Sequence, residues 1–455
     1  MLSKSSKTKQ QNLFYSPLSD MLDMNDPLIA LSNAIDWEIF ENEFSQFYSK
    51  DGSPAKPIRL MVGLLILKQL ENLSDESIVI QWKRNPYYQY FCGYNEMQLC
   101  EPCHSTQLVK FRQRIGKKGM ELIFKVSVQL HGSCAEEQQV LIDTTVQEKN
   151  ITYPTDGKLA IKMIHHLHKI GKKEQLNLRR TFVKEIKEHR INLRFFKHPK
   201  KIKKARSSIK RLRTIVGILI RDISRNLKQD KLSNYTNTFD LFDKVRNQQI
   251  KDSNKVLSLH ESHVYAITKG KDHKKYEYGT KASIVATKDS GVIVGVASHS
   301  KNEHDSKTLE AALISANKTR TTAIKEVICD RGYRGIKEVL GTIISIPGTT
   351  LKKDTEYQKQ QKRDKFKRRA AIEPIIGHLK SDFRLARNYL KGFIGDQINL
   401  LLAATAWNLK KWMNIYFFAI ISGEMKLLLE SIKQIKLYNQ IFLQLIVIKL
   451  IFTHP

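Results

Sequence analysis

Two short apolar runs, each ending on an aspartate, constrain this chain more than any other feature. They are Gln139-Val140-Leu141-Ile142-Asp143 and Glu326-Val327-Ile328-Cys329-Asp330. Both read as buried strands with an acid at the C-terminal end. A third acid, Glu373, stands in the helical segment Arg369-Ala370-Ala371-Ile372-Glu373-Pro374-Ile375-Ile376-Gly377-His378-Leu379-Lys380. Strand ends often carry polar residues, so two aspartates alone say little. Three carboxylates converging on one point say much more, because they would hold two divalent cations. That arrangement activates a water or a hydroxyl against a phosphodiester.

The charge balance names the polymer. The 455 residues carry 77 Lys and Arg against 45 Asp and Glu, a net charge of +32. Such an excess points to nucleic acid or to an anionic membrane surface. The membrane is the weaker choice: no run of 18 or more apolar residues occurs, and the N-terminus reads polar rather than as a signal peptide. The apolar stretch from Leu437 to Phe452 is interrupted by Asn439, Gln440, Gln444 and Lys449. It reads as a buried or partner-docking helix. Five cysteines without an export signal imply a reducing compartment, the cytoplasm. Cys100-Glu101-Pro102-Cys103-His104 matches the C-x-x-C-H pattern of covalent haem attachment, which takes place outside the cytoplasm. With Cys92 the same group suggests zinc, yet no second ligand pair completes a four-ligand site. Free thiols are the expectation.

Residues 1–24 are expected to be a flexible N-terminus and 25–135 a helical DNA-binding domain. Ile58–Leu70 is apolar nearly all round, which predicts a buried central helix. Asn72-Leu73-Ser74-Asp75 supplies a turn and N-cap for a second helix that Asn85-Pro86 stops. Ser105 or Thr106 can cap a third, closed by Gly116. Its apolar Leu108, Phe111 and Ile115 would face inward and leave Lys110, Arg112 and Arg114 near the exposed side, as DNA contacts. Short helices joined by tight turns suit a helix-turn-helix-like reader, or equally an ordinary helical domain with a solvated basic face.

Residues 136–412 read as α/β. The separation of Asp143 from Asp330 is far greater than one strand connection needs. Much of it is a basic helical insertion at about 150–255. From Lys158 to Lys228 there are 23 Lys and Arg against four acids, Glu174, Glu185, Glu188 and Asp222. Laid on a phosphate backbone, it would make binding steeply salt-dependent. After it, Val264–Thr268, Ala282–Thr287 and Val292–Ala297 read as an antiparallel set. A helix follows over about 306–317, then the Asp330 strand, a short helix after Arg331-Gly332-Tyr333, and a buried strand at Ile343–Ile346. Phe366, Arg369 and Lys380 lie seven and four residues before Glu373 and seven after it, within about 60° of it on a continuous helix. One stripe would then present a carboxylate among cations, bent where Pro374 falls. Residues 413–455 form an apolar helical tail.

With these segments in view, the chain resembles the insertion-sequence D-D-E transposases, specifically the insertion sequence five family. Ile35-Asp36-Trp37, Ile58–Leu70, Asn72–Asp75 and Arg112–Gly116 resemble that family's N-terminal domain. Asp143-Thr144-Thr145-Val146 resembles the first catalytic block. Lys269–Lys281 resembles the segment entering the hairpin strands, and Asp330-Arg331-Gly332-Tyr333-Arg334-Gly335 the second block. Ile372-Glu373-Pro374 with Gly377–Lys380 resembles the third, and Trp407-Asn408-Leu409 the downstream signature. Phe366 departs from the family's tyrosine. The resemblance implies an RNase H-like mixed sheet flanked by helices. It also implies Asp143, Asp330 and Glu373 as catalytic residues and ligands of two Mg²⁺ ions, for which Mn²⁺ can substitute. Arg369, Lys380 and Arg331 would contact DNA. The implied partners are terminal inverted repeats, target DNA and a second copy of the chain in a dimer or larger synaptic complex. A nuclease that cuts without joining and an inactive DNA-binding repressor are the alternatives.

Overall fold

Apolar residues on every side of Ile58–Leu70 demand burial on every side, and the fold meets that demand. This helix, α4, sits among α1 (Leu18–Met21), α2 (Pro27–Ala34), α3 (Glu38–Ser45), α5 (Asp75–Arg84), α6 (Pro86–Phe91) and α7 (Ser105–Gln129). The computed structural model describes residues 16–49, 54–249, 251–271, 274–348 and 353–453; the side chains at 269–271, 274, 365 and 424–453 fall outside the description. The expectation of a loose N-terminus therefore concerns residues 1–15, outside the described part, and fails at α1. Leu18 is fully buried and its N–H donates to the Asn95 carbonyl at 2.7 Å. Helix α5 starts where the capping residue predicts, with the Ser74 hydroxyl accepting from the Ser77 N–H. Helix α7 differs. His104, not Ser105 or Thr106, caps it through Nδ1, and Gly116 (φ +56°) kinks it without ending it.

Arg112 corrects the exposed basic face expected of α7. It is buried and grips the carboxylate of Asp75 with both guanidinium nitrogens, while Lys68 reaches the same carboxylate at 2.8 Å. Burial raises the Asp75 carboxyl, and the Arg112 hydrogen bonds with the Lys68 charge more than reverse it, to about 2. Because the folded value lies below the ordinary 3.8, this group stabilises the fold above pH ~4 and loses its effect as pH falls through ~2. A depression of that size corresponds to about 2 kcal/mol. Wild type should exceed Asp75→Asn in urea stability by at least that much at pH 7, and the gap should close toward pH 2. A pH-independent gap would show that the ion cluster is not its source.

The chain then enters a seven-stranded mixed sheet. Strand β1 (Gln139–Glu148) precedes the insertion; β2 (Tyr265–Lys271), β3 (Lys274–Thr287), β4 (Ile293–His299), β5 (Glu326–Ile328), β6 (Glu338–Val339) and β7 (Thr342–Ser345) follow it. The order is β2-β3-β1-β5-β7-β6, with β4 pairing β3 beyond β2. Strands β1 and β3 are antiparallel, whereas β5 and β7 run parallel to β1. This is the RNase H-like arrangement. Alternation splits the sheet into two faces. Val140 and Ile142 join the large core shared with the N-terminal helices, and Leu141 with Ile328 belongs to a smaller core on the other face.

Helices α8 (Asp156–Lys173), α9 (Val183–Leu193), α10 (Ile202–Asn226), α11 (Gln229–Leu232) and α12 (Thr236–Asn247) make the insertion. It is helical and carries a hydrophobic core of its own, from Leu159 to Val256. Beyond it, α13 (Asp305–Asn317) packs on β3 and β4. The segment expected to be one continuous helix around Glu373 is two, α14 (Glu356–Arg369) and α15 (Ile372–Ser381). They meet at Ala370-Ala371, where the N–H groups of Ala371 and Glu373 reach back only three residues. Pro374, lacking an N–H, cannot complete the regular bond across the join. Helix α16 (Gly392–Thr453) closes the molecule. Asn408 pins it to β4, donating to the Ile293 carbonyl at 2.8 Å and accepting from the Ile293 N–H at 2.9 Å. The expected tail is helical through Thr453, though the side chains of its Leu437–Phe452 stretch fall outside the description. Among the described residues no helix is long and apolar enough to cross a membrane. Strand β7 is less buried than expected, since Ile343 is 60% exposed.

Candidate active site

The register of two parallel strands brings the first two acids together. Leu141 lies opposite Ile328, the last pair of the β1–β5 ladder, so Asp143 and Asp330 follow two residues beyond it on neighbouring segments. Alternation along β1 puts Asp143 on the face that holds Leu141. Strand β5 itself stops at Ile328, and Asp330 caps a tight turn, accepting from the Gly332 N–H at 2.8 Å. Asp143 Oδ1 accepts from the Thr144 N–H at 2.7 Å.

The third acid reaches this face through its neighbours. Ile372 is fully buried against Leu141 and Ile328, and Phe366 packs on the same cluster. Phe366 thus serves as an apolar contact where the family pattern has tyrosine. Glu373 follows Ile372 directly, but its side chain is 62% exposed and turns to Arg369, with Nη2 to Oε1 at 3.5 Å. Asp330, Asp143 and Arg369 all act on Cys329, whose thiol is pushed up to about 12, by burial first, then by Asp330; Arg369 opposes and Asp143 adds to it. Arg369 and the two aspartates therefore share one neighbourhood. Among the described residues, no three His, Cys, Asp or Glu side chains gather closely enough to enclose a metal ion as they stand. The structure puts Asp143 and Asp330 in one neighbourhood with Arg369 and leaves Glu373 exposed, paired with Arg369.

A "Transposase domain" family model matches residues 16–114 and a "Transposase DDE domain" model matches residues 252–409. The chain is also 36% identical over 194 residues to an uncharacterized protein of Rhizobium meliloti, ORF8 in the nfe locus. That match covers 42% of this chain and 94% of the relative. The chain belongs to the insertion-sequence D-D-E transposases. No solved structure matches it.

The transposase family uses divalent metal ions, and the donors here are hard oxygen atoms of the kind such cations take. The matched DDE segment begins only at residue 252, so Asp143 lies on the far side of the basic insertion from the rest of it. Of the other residues expected to meet DNA, Lys110 and Arg114 are exposed on α7, Arg331 is exposed in the turn after Asp330, and Lys380 is half-buried on α15. Arg114 stacks its guanidinium over Tyr48 at 4.4 Å. Arg112 faces the interior. Residues near the acids that the sequence reading missed are Thr144, Lys281, Asp305 and Tyr333. Thr144 Oγ1 donates to Asp305 Oδ1 at 2.9 Å, and Lys281 Nζ reaches the same oxygen at 2.9 Å. His304-Asp305 looks in sequence like an ordinary helix start; only the fold carries it to the acids.

Proposed function

We propose that this transposase binds the terminal inverted repeats of its insertion sequence, cleaves at the element ends and joins the freed 3′ ends to target DNA. Within the transposases we assign it to the insertion sequence five family, on the order of its blocks at Asp143, Asp330 and Ile372–Lys380. The reading is supported above all by the parallel β1–β5 pairing, which ends two residues before each of Asp143 and Asp330, and by Ile372 of α15 packing on Leu141 and Ile328. Asp143, Asp330 and Glu373 would hold two Mg²⁺ ions. When bound, such ions acidify the attacking hydroxyl and offset charge on the leaving oxygen. Glu373 would exchange Arg369 for metal, and Arg369 would then be free to contact a phosphate.

In the first reaction water attacks the phosphodiester at the element end, leaving a 3′-hydroxyl and a 5′-phosphate. In the second that 3′-hydroxyl attacks a target phosphodiester; a new P–O bond forms as the target's own 3′-oxygen leaves and takes a proton. The insertion supplies an electrostatic hold on the DNA. A cavity of about 450 Å³ there is lined by Arg179, Arg180, Arg221 and Arg225, with Asp222 the one acid among them. Two ends must be handled together, so a dimer or larger synaptic complex is the working form, and chromosomal DNA as substrate implies action at the bacterial nucleoid.

Purified protein on duplexes carrying the element's terminal repeats should give joined products that require Mg²⁺ or Mn²⁺. Cleavage without joining would make the chain a nuclease. Repeat-specific binding with neither reaction would make it a repressor.

A further inference from the structure

Asp305 is the first residue of α13, and its Oδ1 is doubly held, by Thr144 and Lys281. Its other oxygen, Oδ2, turns the opposite way. A Cβ built on Gly332 would lie 3.3 Å from Asp305 Oδ2 and 2.9 Å from Asp330 Oδ1. An oxygen of each carboxylate thus lies within 3.3 Å of one point that the missing side chain of Gly332 keeps open. A second observation comes from Tyr333. It is 1% exposed, and its hydroxyl has no hydrogen-bond partner among the described residues. Burial first, and then Asp305, Asp143, Cys329 and Asp330, hold its phenol well above the usual value, so this hydroxyl sits within the field of three aspartates. A buried hydroxyl without a partner costs roughly 1–3 kcal/mol, which a ligand or its water at this point would offset.

We propose that Asp305 is a fourth carboxylate of the metal site, ligating a divalent cation through Oδ2 beside Asp143 and Asp330, with the Tyr333 hydroxyl donating to a water or carboxylate of that cation's shell. The proposal rests on the metal-dependent reading above and adds a ligand to it. Lys281 and Thr144 occupy Oδ1 and leave Oδ2 to the cation. A fourth acid adds an oxygen donor on the sheet side, and a cation arriving there would draw the three aspartates together before Glu373 leaves Arg369.

The test is calorimetric titration of the full-length protein with Mn²⁺ alone, without DNA. Asp305→Asn and Asp143→Asn should each weaken Mn²⁺ binding about tenfold or more, while Lys281→Met should leave it intact or tighten it by removing a competing charge. Asp305→Ser, which keeps a hydrogen-bonding side chain in the first turn, replaces the asparagine variant should that one not fold. Undiminished binding in the Asp305 variant alongside a loss in Asp143→Asn overturns the fourth ligand and spares the triad. Equal losses in the Asp305 variant and Lys281→Met reduce Asp305 to the partner of a structural ion pair. Undiminished binding in Asp143→Asn as well as the Asp305 variant removes the metal reading itself.

Discussion

Asp143→Asn, Asp330→Asn and Glu373→Gln should each lower metal-dependent cleavage and joining by roughly a thousand-fold or more, with repeat binding kept. Each change is isosteric and removes one charge, so on the proposed reading it would delete a metal ligand rather than packing. Asp143 and Asp330 both act on Cys329 and Tyr333, and like charges sharing one neighbourhood repel. Neutralising either should therefore leave thermal stability unchanged or slightly raised. The same argument applies to DNA: an acid beside a phosphate backbone opposes binding until a cation covers it, so metal-free affinity should hold or rise. Loss of activity with intact or tighter binding is a signature that unfolding cannot imitate. Glu373→Gln separates from the other two in one respect, because it also frees Arg369 from its 3.5 Å pairing. Its metal-free DNA affinity should rise most. Full joining activity in any of the three variants would remove that residue from the chemistry.

Much of this site could be read from the sequence, for a physical reason. A strand buried on both faces has to be continuously apolar, so an acid following such a run stands out, and both runs became neighbouring parallel strands; neither acid ends its strand, however, since β1 runs on past Asp143 to Glu148 and β5 stops at Ile328, short of Asp330. Ile58–Leu70 was legible likewise, since a helix apolar on all sides has one solution. Three features were not. The break between α14 and α15 falls on Ala370-Ala371, two strong helix formers, so local propensity argues for continuity, and the bend follows from the missing N–H of Pro374 and from Ile372 docking on the sheet. Arg112 lies two residues from where an apolar-stripe reading turns outward, and only the position of α5 reveals that a buried carboxylate waits for it. Asp305 is invisible to local patterns because an acid at a helix start is ordinary. Its nearness to Asp330 depends on strands distant in sequence, which periodicity does not encode.

Stability should depend most on a residue outside the chemistry. Lys149, one residue past the end of β1, is buried, with Nζ 2.5 Å from Asp396 Oδ1 and 3.4 Å from Glu261 Oε2. Nζ also donates to the Gly392 carbonyl at 3.1 Å. Asp396 accepts in addition from Asn388 Nδ2 at 2.6 Å and meets His263 Nε2 at 2.9 Å; Glu261 Oε2 accepts from the Gly392 N–H at 3.0 Å. This cluster ties together three points that are remote in sequence: the exit of β1, the return of the chain from the insertion, and the start of α16. Lys149→Met fills much the same volume and removes the buried ammonium that stands between these two carboxylates. Breaking a buried pair on one side costs about 3–5 kcal/mol, because the partner's charge is left uncompensated. Urea unfolding of Lys149→Met at pH 7 should show a loss of that order, and the double variant Lys149→Met with Asp396→Asn should recover part of it by removing one stranded charge. A single variant within 1 kcal/mol of wild type would mean that water or His263 already neutralises the acids. The insertion, with its separate core from Leu159 to Val256, would then be anchored to the sheet by packing alone rather than by this buried ion cluster.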